Sequence, residues 1–417
     1  MSKLIITGGQ ALHGKIKVSG AKNSSLAILC GALLAEEEVV LDNVPDISDV
    51  RILLEIMGTM GVKIRWLGEE SLSLKSPERI AEEAPYELVK QLRASNLLLG
   101  PMLTRYGKAS VSLPGGCNIG VRPMDLHFKG LISLGAEMNL ERGIIQGTTG
   151  RLTGSRVYLD FPSVGATENI IMSACLANGQ TIIENAAKEP EIVDLANFLN
   201  NLGAKVRGAG TDLIKIEGQH RLIGGRHTII PDRIEAGTFM VAAAATRGEV
   251  ILESVIPRHL EPLTAKLREA NVEVEVSEDT IRVNATNIEA KNIDIKTMPY
   301  PGFPTDMQSQ MMSFLATVPG TSIIVENIFE NRFRVADEIK RMGANIKVEG
   351  RMAVIEGVSS LQGTKVKASD LRAGAALVIA ALMANGDTEI GDVNFIDRGY
   401  ANLESKLTSL GAVIKRA

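Results

Sequence analysis

A short pattern of apolar and small residues returns along the chain at a nearly constant interval. An apolar residue, then Gly or another small residue, then alternating strand-type residues, stands at Met60-Gly61-Val62-Lys63-Ile64 and again from Leu134, Leu202, Ala270, Met342 and Leu410. The copies lie 68 to 74 residues apart, so the chain reads as six units of about 70 residues. A second anchor keeps the same register: an apolar stretch ends at Gly107, Gly179, Gly248, Gly320 and Gly386, where Gly suits a left-handed helix C-cap. The first copy reads Ala35-Glu36-Glu37 there, without Gly. After each turn comes a β-branched run, such as Thr181–Asn185 or Ser322–Asn327, and then a segment with apolar residues at helical spacing, such as Ile192–Ala204.

Each unit is therefore expected to run helix, strand, helix, strand, with a further strand before the next copy. The first helix of a unit is apolar nearly all round, as in Ser95–Thr104, Asn169–Gly179, Gly237–Thr246 and Gly374–Gly386. Such a helix belongs in an interior, and its amphipathic companion belongs outside. The pattern predicts an α/β protein of two domains, each of three repeats with helices packed inside sheets. The first and last units are as apolar as the middle ones, which favours closed domains over an open solenoid with polar caps.

Composition narrows the chemistry. With 417 residues, 45% hydrophobic and 23% charged, the chain is globular and long enough for two or three domains. The balance of 45 Lys+Arg against 49 Asp+Glu gives −4, and aromatics are 4%, so neither a basic field nor a stacking platform for nucleic acid is expected. The longest apolar stretch, Ala373–Ala384, is too short for a membrane span, and the first ten residues lack a signal-peptide core, so a soluble cytoplasmic protein is expected. Cys30, Cys117 and Cys175 stand far apart, and the five His are scattered, so free thiols and no metal site are expected. Gly100–Lys108 resembles a P-loop only superficially, since the glycine spacing is wrong and Ala109 replaces the Ser/Thr.

Charge is concentrated where helices begin. Fourteen residues before each turn stand Lys22, Arg93, Gly165, Ile234, Asp306 and Arg372. Helix N-termini attract anions, and cations there oppose the helix dipole, so ordinary capping explains Asp306 but not Lys22, Arg93 and Arg372. Together these three make a site for a phosphate or carboxylate, with Asp306 as a base among cations. The segment Leu113-Pro114-Gly115-Gly116-Cys117-Asn118-Ile119-Gly120-Val121-Arg122-Pro123 reads as a loop, and Arg122 stands close enough to favour a reactive Cys117 thiolate. Cys30 and Cys175 fall in the inner helices and read as buried. His127 offers Cys117 a hydrolase-type partner on spacing alone.

The motifs Gly20-Ala21-Lys22-Asn23, the Cys117 loop, Ser163-Val164-Gly165-Ala166-Thr167, Pro304-Thr305-Asp306-Met307-Gln308, Asp370-Leu371-Arg372-Ala373 and Asp397-Arg398-Gly399-Tyr400 stand in this order. In them the chain, from Lys15 to the C-terminus, closely resembles the UDP-N-acetylglucosamine 1-carboxyvinyltransferases, the enolpyruvyl transferases of bacterial peptidoglycan synthesis. The resemblance implies two inside-out α/β barrel domains, 21–230 with the Cys117 loop, and 1–20 with 231–417, and an active site in the cleft between them. It implies transfer of the enolpyruvyl group of phosphoenolpyruvate to the 3′-hydroxyl of UDP-N-acetylglucosamine by addition and elimination, with release of phosphate and no cofactor.

By the same resemblance Cys117 is a proton donor and the residue that an epoxide such as fosfomycin alkylates, and Asp306 is the base. Lys22, Arg122 and Arg398 meet phosphoenolpyruvate and its phosphate, and Arg332, Arg372 and Asp370 stand at its carboxylate end. Asn23, which adjoins both substrates, together with Arg93, Arg122, Pro123, Met124, Asp125, Leu126, Ser163, Val164, Asp306 and Ile328, meets the nucleotide sugar. Phe161-Pro162 and Arg334 depart from the pattern. The alternative acceptor is shikimate 3-phosphate, whose transferase would be expected to carry a GSKS-type motif at 20–23 and no Cys loop.

Overall fold

The computed structural model describes residues 2–81, 83–113, 119–120 and 124–417. The chain divides into two compact units: Met1–Ser19, Asn118–Val121 and Pro231–Ala417 in one, Gly20–Cys117 and Arg122–Ile230 in the other. Ile119 falls with the C-terminal residues, and its carbonyl accepts the N–H of Asn331 at 3.0 Å.

The repeat is clearest between residues 156 and 217. Strand Arg156–Tyr158 leads into helix Val164–Ala174, which returns to the parallel strand Gln180–Glu184. Helix Pro190–Asn201 follows, then the antiparallel strands Lys205–Arg207 and Leu213–Glu217. They line up as one four-stranded sheet, and the same order recurs in four other sheets. The sixth has three strands, Lys108–Ser112, Ile144–Thr148 and Glu137–Glu141, and a single bridge from Glu83 to Ser110 takes the fourth place.

The helix that crosses from one parallel strand to the next is the apolar one. Helix Leu371–Met383 is buried from Leu371 to Leu382, and Arg233–Ala245 from Ile234 to Ala244. With Gln308–Leu315 they carry the core of the C-terminal unit, against strand residues such as Ile6, Val250, Ile324 and Ile390. In the other unit Lys22–Gly31, Leu99–Tyr106 and Val164–Ala174 are the buried helices. The companion helices bury one face only; Ser48–Thr59 covers Val50, Leu53, Leu54, Ile56 and Met57 and exposes Arg51 and Glu55.

Backbone angles account for both sequence anchors. Gly61, Gly135, Gly203, Gly343 and Gly411 have φ between 94° and 100°, and Asn271 has 67°, so the small residue of the motif is the left-handed one that ends the outer helix. Four of the five turn glycines are left-handed as well, but at the fifth Arg247 takes the positive φ of 54°. Gly248 has another cause there: a Cβ would lie 2.1 Å from the carbonyl oxygen of Leu12.

Two strands exchange places. His13–Lys17 precedes helix Lys22–Gly31 but pairs with Glu249–Glu253, and Gly225–Thr228 precedes Arg233–Ala245 but pairs with Val39–Asp42. Strand Leu4–Thr7 pairs with both Asp387–Gly391 and Val413–Arg416, so the N-terminal segment completes the last repeat. Among the described residues no helix is long and apolar enough to cross a membrane, and no group of His, Cys, Asp and Glu could hold a metal ion.

Candidate active site

In the C-terminal unit the site grows from helix starts. Asp370 caps helix Leu371–Met383 by accepting the N–H groups of Arg372 and Ala373, each at 3.0 Å. That places Arg372 in the first turn of a buried helix, with 4% of its surface exposed. Its Nη2 donates to Asp306 Oδ2 at 3.1 Å and its Nη1 to Tyr400 Oη at 3.3 Å. Arg332, 2% exposed, donates from Nη2 to the other oxygen of Asp306 and from Nε to the Thr305 carbonyl at 3.3 Å. Asp306 stands in the turn Thr305–Met307 before helix Gln308–Leu315, with about a quarter of its side chain in solvent. A partly open carboxylate thus lies between two buried guanidinium groups.

Burial works against the charge of Arg372, but Asp306, Tyr400 and Asp232 outweigh it and hold the guanidinium protonated more firmly than usual. Burial also pushes the Tyr400 phenol up, and Arg372 only partly offsets this, so Tyr400 keeps its proton. Its hydroxyl lies 2.9 Å from Thr238 Oγ1, which in turn accepts from Gln310 Nε2 at 3.2 Å. All three inner helices of this unit therefore reach the group that orients Arg372. Ile328 is half-buried, and Arg398 is half-buried at the end of the short helix Asn394–Asp397.

In the other unit Lys22 opens helix Lys22–Gly31 and pairs with the buried Asp49 at 2.8 Å. Asn23 follows it, half-buried. Arg93 opens the 3-10 stretch Arg93–Leu98. Asp125 and Leu126 open helix Asp125–Ser133, the first exposed and the second half-buried, behind the buried Met124. Ser163 caps helix Val164–Ala174, its Oγ accepting the Ala166 N–H at 3.4 Å. Every charged residue found by counting back from the turns stands at or just before the start of an inner helical segment, and Asp306, Arg332 and Arg372 come together. Cys117, Arg122 and Pro123 lie outside the described residues. Cys30 and Cys175 are buried, and burial raises both thiols, Cys175 to about 12.

Sequence reasoning missed Asp49, Asp232, Thr238 and Gln310, and it named Tyr400 and His127 without the contacts they make. Asp232 had a signal: it caps helix Arg233–Ala245, as Asp370 and Ser163 cap theirs, two residues before the position counted back from the turn. His127 is buried, with Nδ1 2.8 Å from Asn169 Nδ2. Burial and then Arg93 lower its pKa from 6.5 to about 4, with Asp125 opposing. The native protein therefore resists a proton that the unfolded chain accepts. Stability is expected to be full above about pH 6.5 and to decline as pH falls towards 4, by up to about 3 kcal/mol. Urea unfolding between pH 7 and pH 4 checks this: His127→Gln should flatten that slope, and an unchanged slope would assign it to other groups.

The EPSP synthase (3-phosphoshikimate 1-carboxyvinyltransferase) family matches the chain over residues 6–407. UDP-N-acetylglucosamine 1-carboxyvinyltransferase 2 of Carboxydothermus hydrogenoformans is 58% identical over 417 residues, covering 100% of this chain and 99% of the relative. UDP-N-acetylglucosamine 1-carboxyvinyltransferase 1 of Caldanaerobacter subterraneus subsp. tengcongensis is 53% identical over 415 residues, with 100% and 99% covered. Among solved structures, the enolpyruvyl transferase NikO from Streptomyces tendae superposes with a TM-score of 0.90 at 26% identity, covering 100% of this chain and 99% of that one. EPSP synthase from Acinetobacter baumannii shares the fold, with a TM-score of 0.76 at 19% identity and all of both chains covered. The chain belongs to the enolpyruvyl transferase family, and within it to the UDP-N-acetylglucosamine 1-carboxyvinyltransferases.

Proposed function

We propose that the chain transfers the enolpyruvyl group of phosphoenolpyruvate to the 3′-hydroxyl of UDP-N-acetylglucosamine and releases phosphate, in the cytoplasm and without a cofactor. The observation that carries this reading is the pair of buried guanidiniums, Arg332 and Arg372, that share one partly open carboxylate. A planar fork of N–H donors suits a second carboxylate, that of phosphoenolpyruvate. The relatives named above support UDP-N-acetylglucosamine as the acceptor. Each unit, with three buried helices against three sheets, reads as one inside-out α/β barrel.

In the addition step the sugar oxygen bonds to C2 of phosphoenolpyruvate, C3 gains a proton from Cys117, and Asp306 accepts the hydroxyl proton. In the elimination step the Cys117 thiolate takes a proton back from C3, the C2–O bond to phosphate breaks, and the proton held by Asp306 leaves with the phosphate. Lys22, Arg122 and Arg398 stabilise the phosphate, and Arg332 and Arg372 hold the carboxylate, with Asp370 fixing the turn that presents Arg372. A substrate carboxylate on these two guanidiniums competes with Asp306 for their N–H groups, which loosens the carboxylate for proton transfer. Asn23, Arg93, Arg122, Pro123, Met124, Asp125, Leu126, Ser163, Val164 and Ile328 hold the nucleotide sugar. The test is phosphate release from phosphoenolpyruvate. It should require UDP-N-acetylglucosamine; release supported by shikimate 3-phosphate alone would overturn the assignment.

A further inference from the structure

The carboxylate of Glu326 is completely buried, at the end of strand Thr321–Val325. Such a group is costly to remove from water unless donors surround it. Four do. Thr297 Oγ1 donates to Oε1 at 2.8 Å, and the Ile328 and Phe329 N–H groups reach the same oxygen at 2.8 and 3.1 Å. Thr305 Oγ1 donates to Oε2 at 3.0 Å. The two oxygens thus grip two different segments. One is the turn that carries Asp306, held through Thr305. The other is the segment from Ile328 to Arg332, held through two backbone N–H groups and secured again where Thr297 Oγ1 accepts the Asn327 N–H at 2.9 Å. The far ends of these segments meet: Arg332 pairs with Asp306, donates to the Thr305 carbonyl and lies over the Phe329 ring, 5.6 Å from its centre. Glu326 therefore closes a ring of contacts whose opposite side is the Asp306–Arg332 pair.

We infer that Glu326 and Thr305 are positioning residues for the reaction proposed above: the Thr305 arm sets Asp306 for proton transfer, and the Ile328–Phe329 arm sets the nucleotide-sugar side. This rests on that reading of the site. A hydroxyl that holds a carboxylate in place matters because a displacement of about 1 Å at reacting groups costs on the order of 100-fold in rate. The two arms predict different kinetic effects, which a general loss of stability would not separate.

The experiment compares Thr305→Val, Thr305→Ser and Glu326→Gln with the intact parent protein. Valine keeps the shape of threonine but removes its donor. Thr305→Val should lower kcat roughly 10- to 100-fold and leave the KM for UDP-N-acetylglucosamine within about twofold. Thr305→Ser, which restores the donor, should recover most of the rate. Glu326→Gln should lower kcat and raise that KM together, and speed amide hydrogen exchange at Ile328 and Phe329. Parental turnover in Thr305→Val, no recovery in Thr305→Ser, or a KM rise as large as the kcat loss would each overturn the inference. Should Glu326→Gln fail to fold, Thr305→Val still decides. A parent without turnover on UDP-N-acetylglucosamine would instead remove the functional reading. The tie would then stand or fall on exchange, with unchanged exchange around Asp306 in Thr305→Val counting against it.

Discussion

Asp306→Asn is expected to lower kcat by about a thousandfold while phosphoenolpyruvate still binds. The amide has the shape of the carboxylate but accepts no proton at neutral pH. It also meets its neighbours badly. Arg332 and Arg372 each present an N–H to one oxygen of Asp306, so in the variant one of them faces the amide N–H. Removing the partner of a fully buried ion pair costs about 3–5 kcal/mol; here a quarter of the Asp306 side chain is in solvent, and the loss should be nearer 1–2 kcal/mol. Binding should change in the other direction. With no carboxylate competing for them, Arg332 and Arg372 are more available to an anionic substrate, so the Kd for phosphoenolpyruvate should hold or fall. Steady-state kinetics, calorimetric titration and urea unfolding read the three effects separately. Near-parental kcat would remove Asp306 as the base. Loss of phosphoenolpyruvate binding together with kcat would reduce it to a strut for the two arginines.

What the sequence disclosed of this site follows from what a repeat can carry. Lys22, Arg93, Asp306 and Arg372 recur at one register position, and helix periodicity places that position at an inner-helix start. The groups around them do not recur. Tyr400 meets Thr238 across 162 residues, and Arg372 meets Asp306 across 66, so no local spacing links them. Asp49 reads as an ordinary acidic residue in the first turn of an outer helix, and only the fold gives it Lys22 as a partner. Likewise nothing local in His13–Lys17 names its neighbour, and hydrophobic pattern alone cannot show that this strand pairs with Glu249–Glu253. The turn at Gly248 is a milder case. Glycine was expected there for its left-handed angle, yet Arg247 takes that angle and the glycine answers to the backbone of Leu12.

Arg372→Lys should be the other damaging change, although it conserves charge. Arg372 uses separate nitrogens for Asp306 and Tyr400, and only 4% of its surface is exposed. A lysine ammonium is a compact point charge on a different stem, and it cannot span both acceptors with the planar fork that a substrate carboxylate also requires. The kcat/KM for phosphoenolpyruvate is expected to fall about 100-fold, the equivalent of one or two charge-assisted hydrogen bonds. The KM for UDP-N-acetylglucosamine should move far less. Tyr400→Phe supplies the graded comparison: it removes only the hydroxyl that orients Nη1 and leaves the bond to Asp306, so its loss should be nearer tenfold. If Arg372→Lys retained parental kcat/KM, positive charge alone would suffice at this helix start and the shared-fork reading would fail. If Tyr400→Phe matched Arg372→Lys in severity, orientation by the tyrosine, rather than contact with the substrate, would be the larger part of what Arg372 contributes.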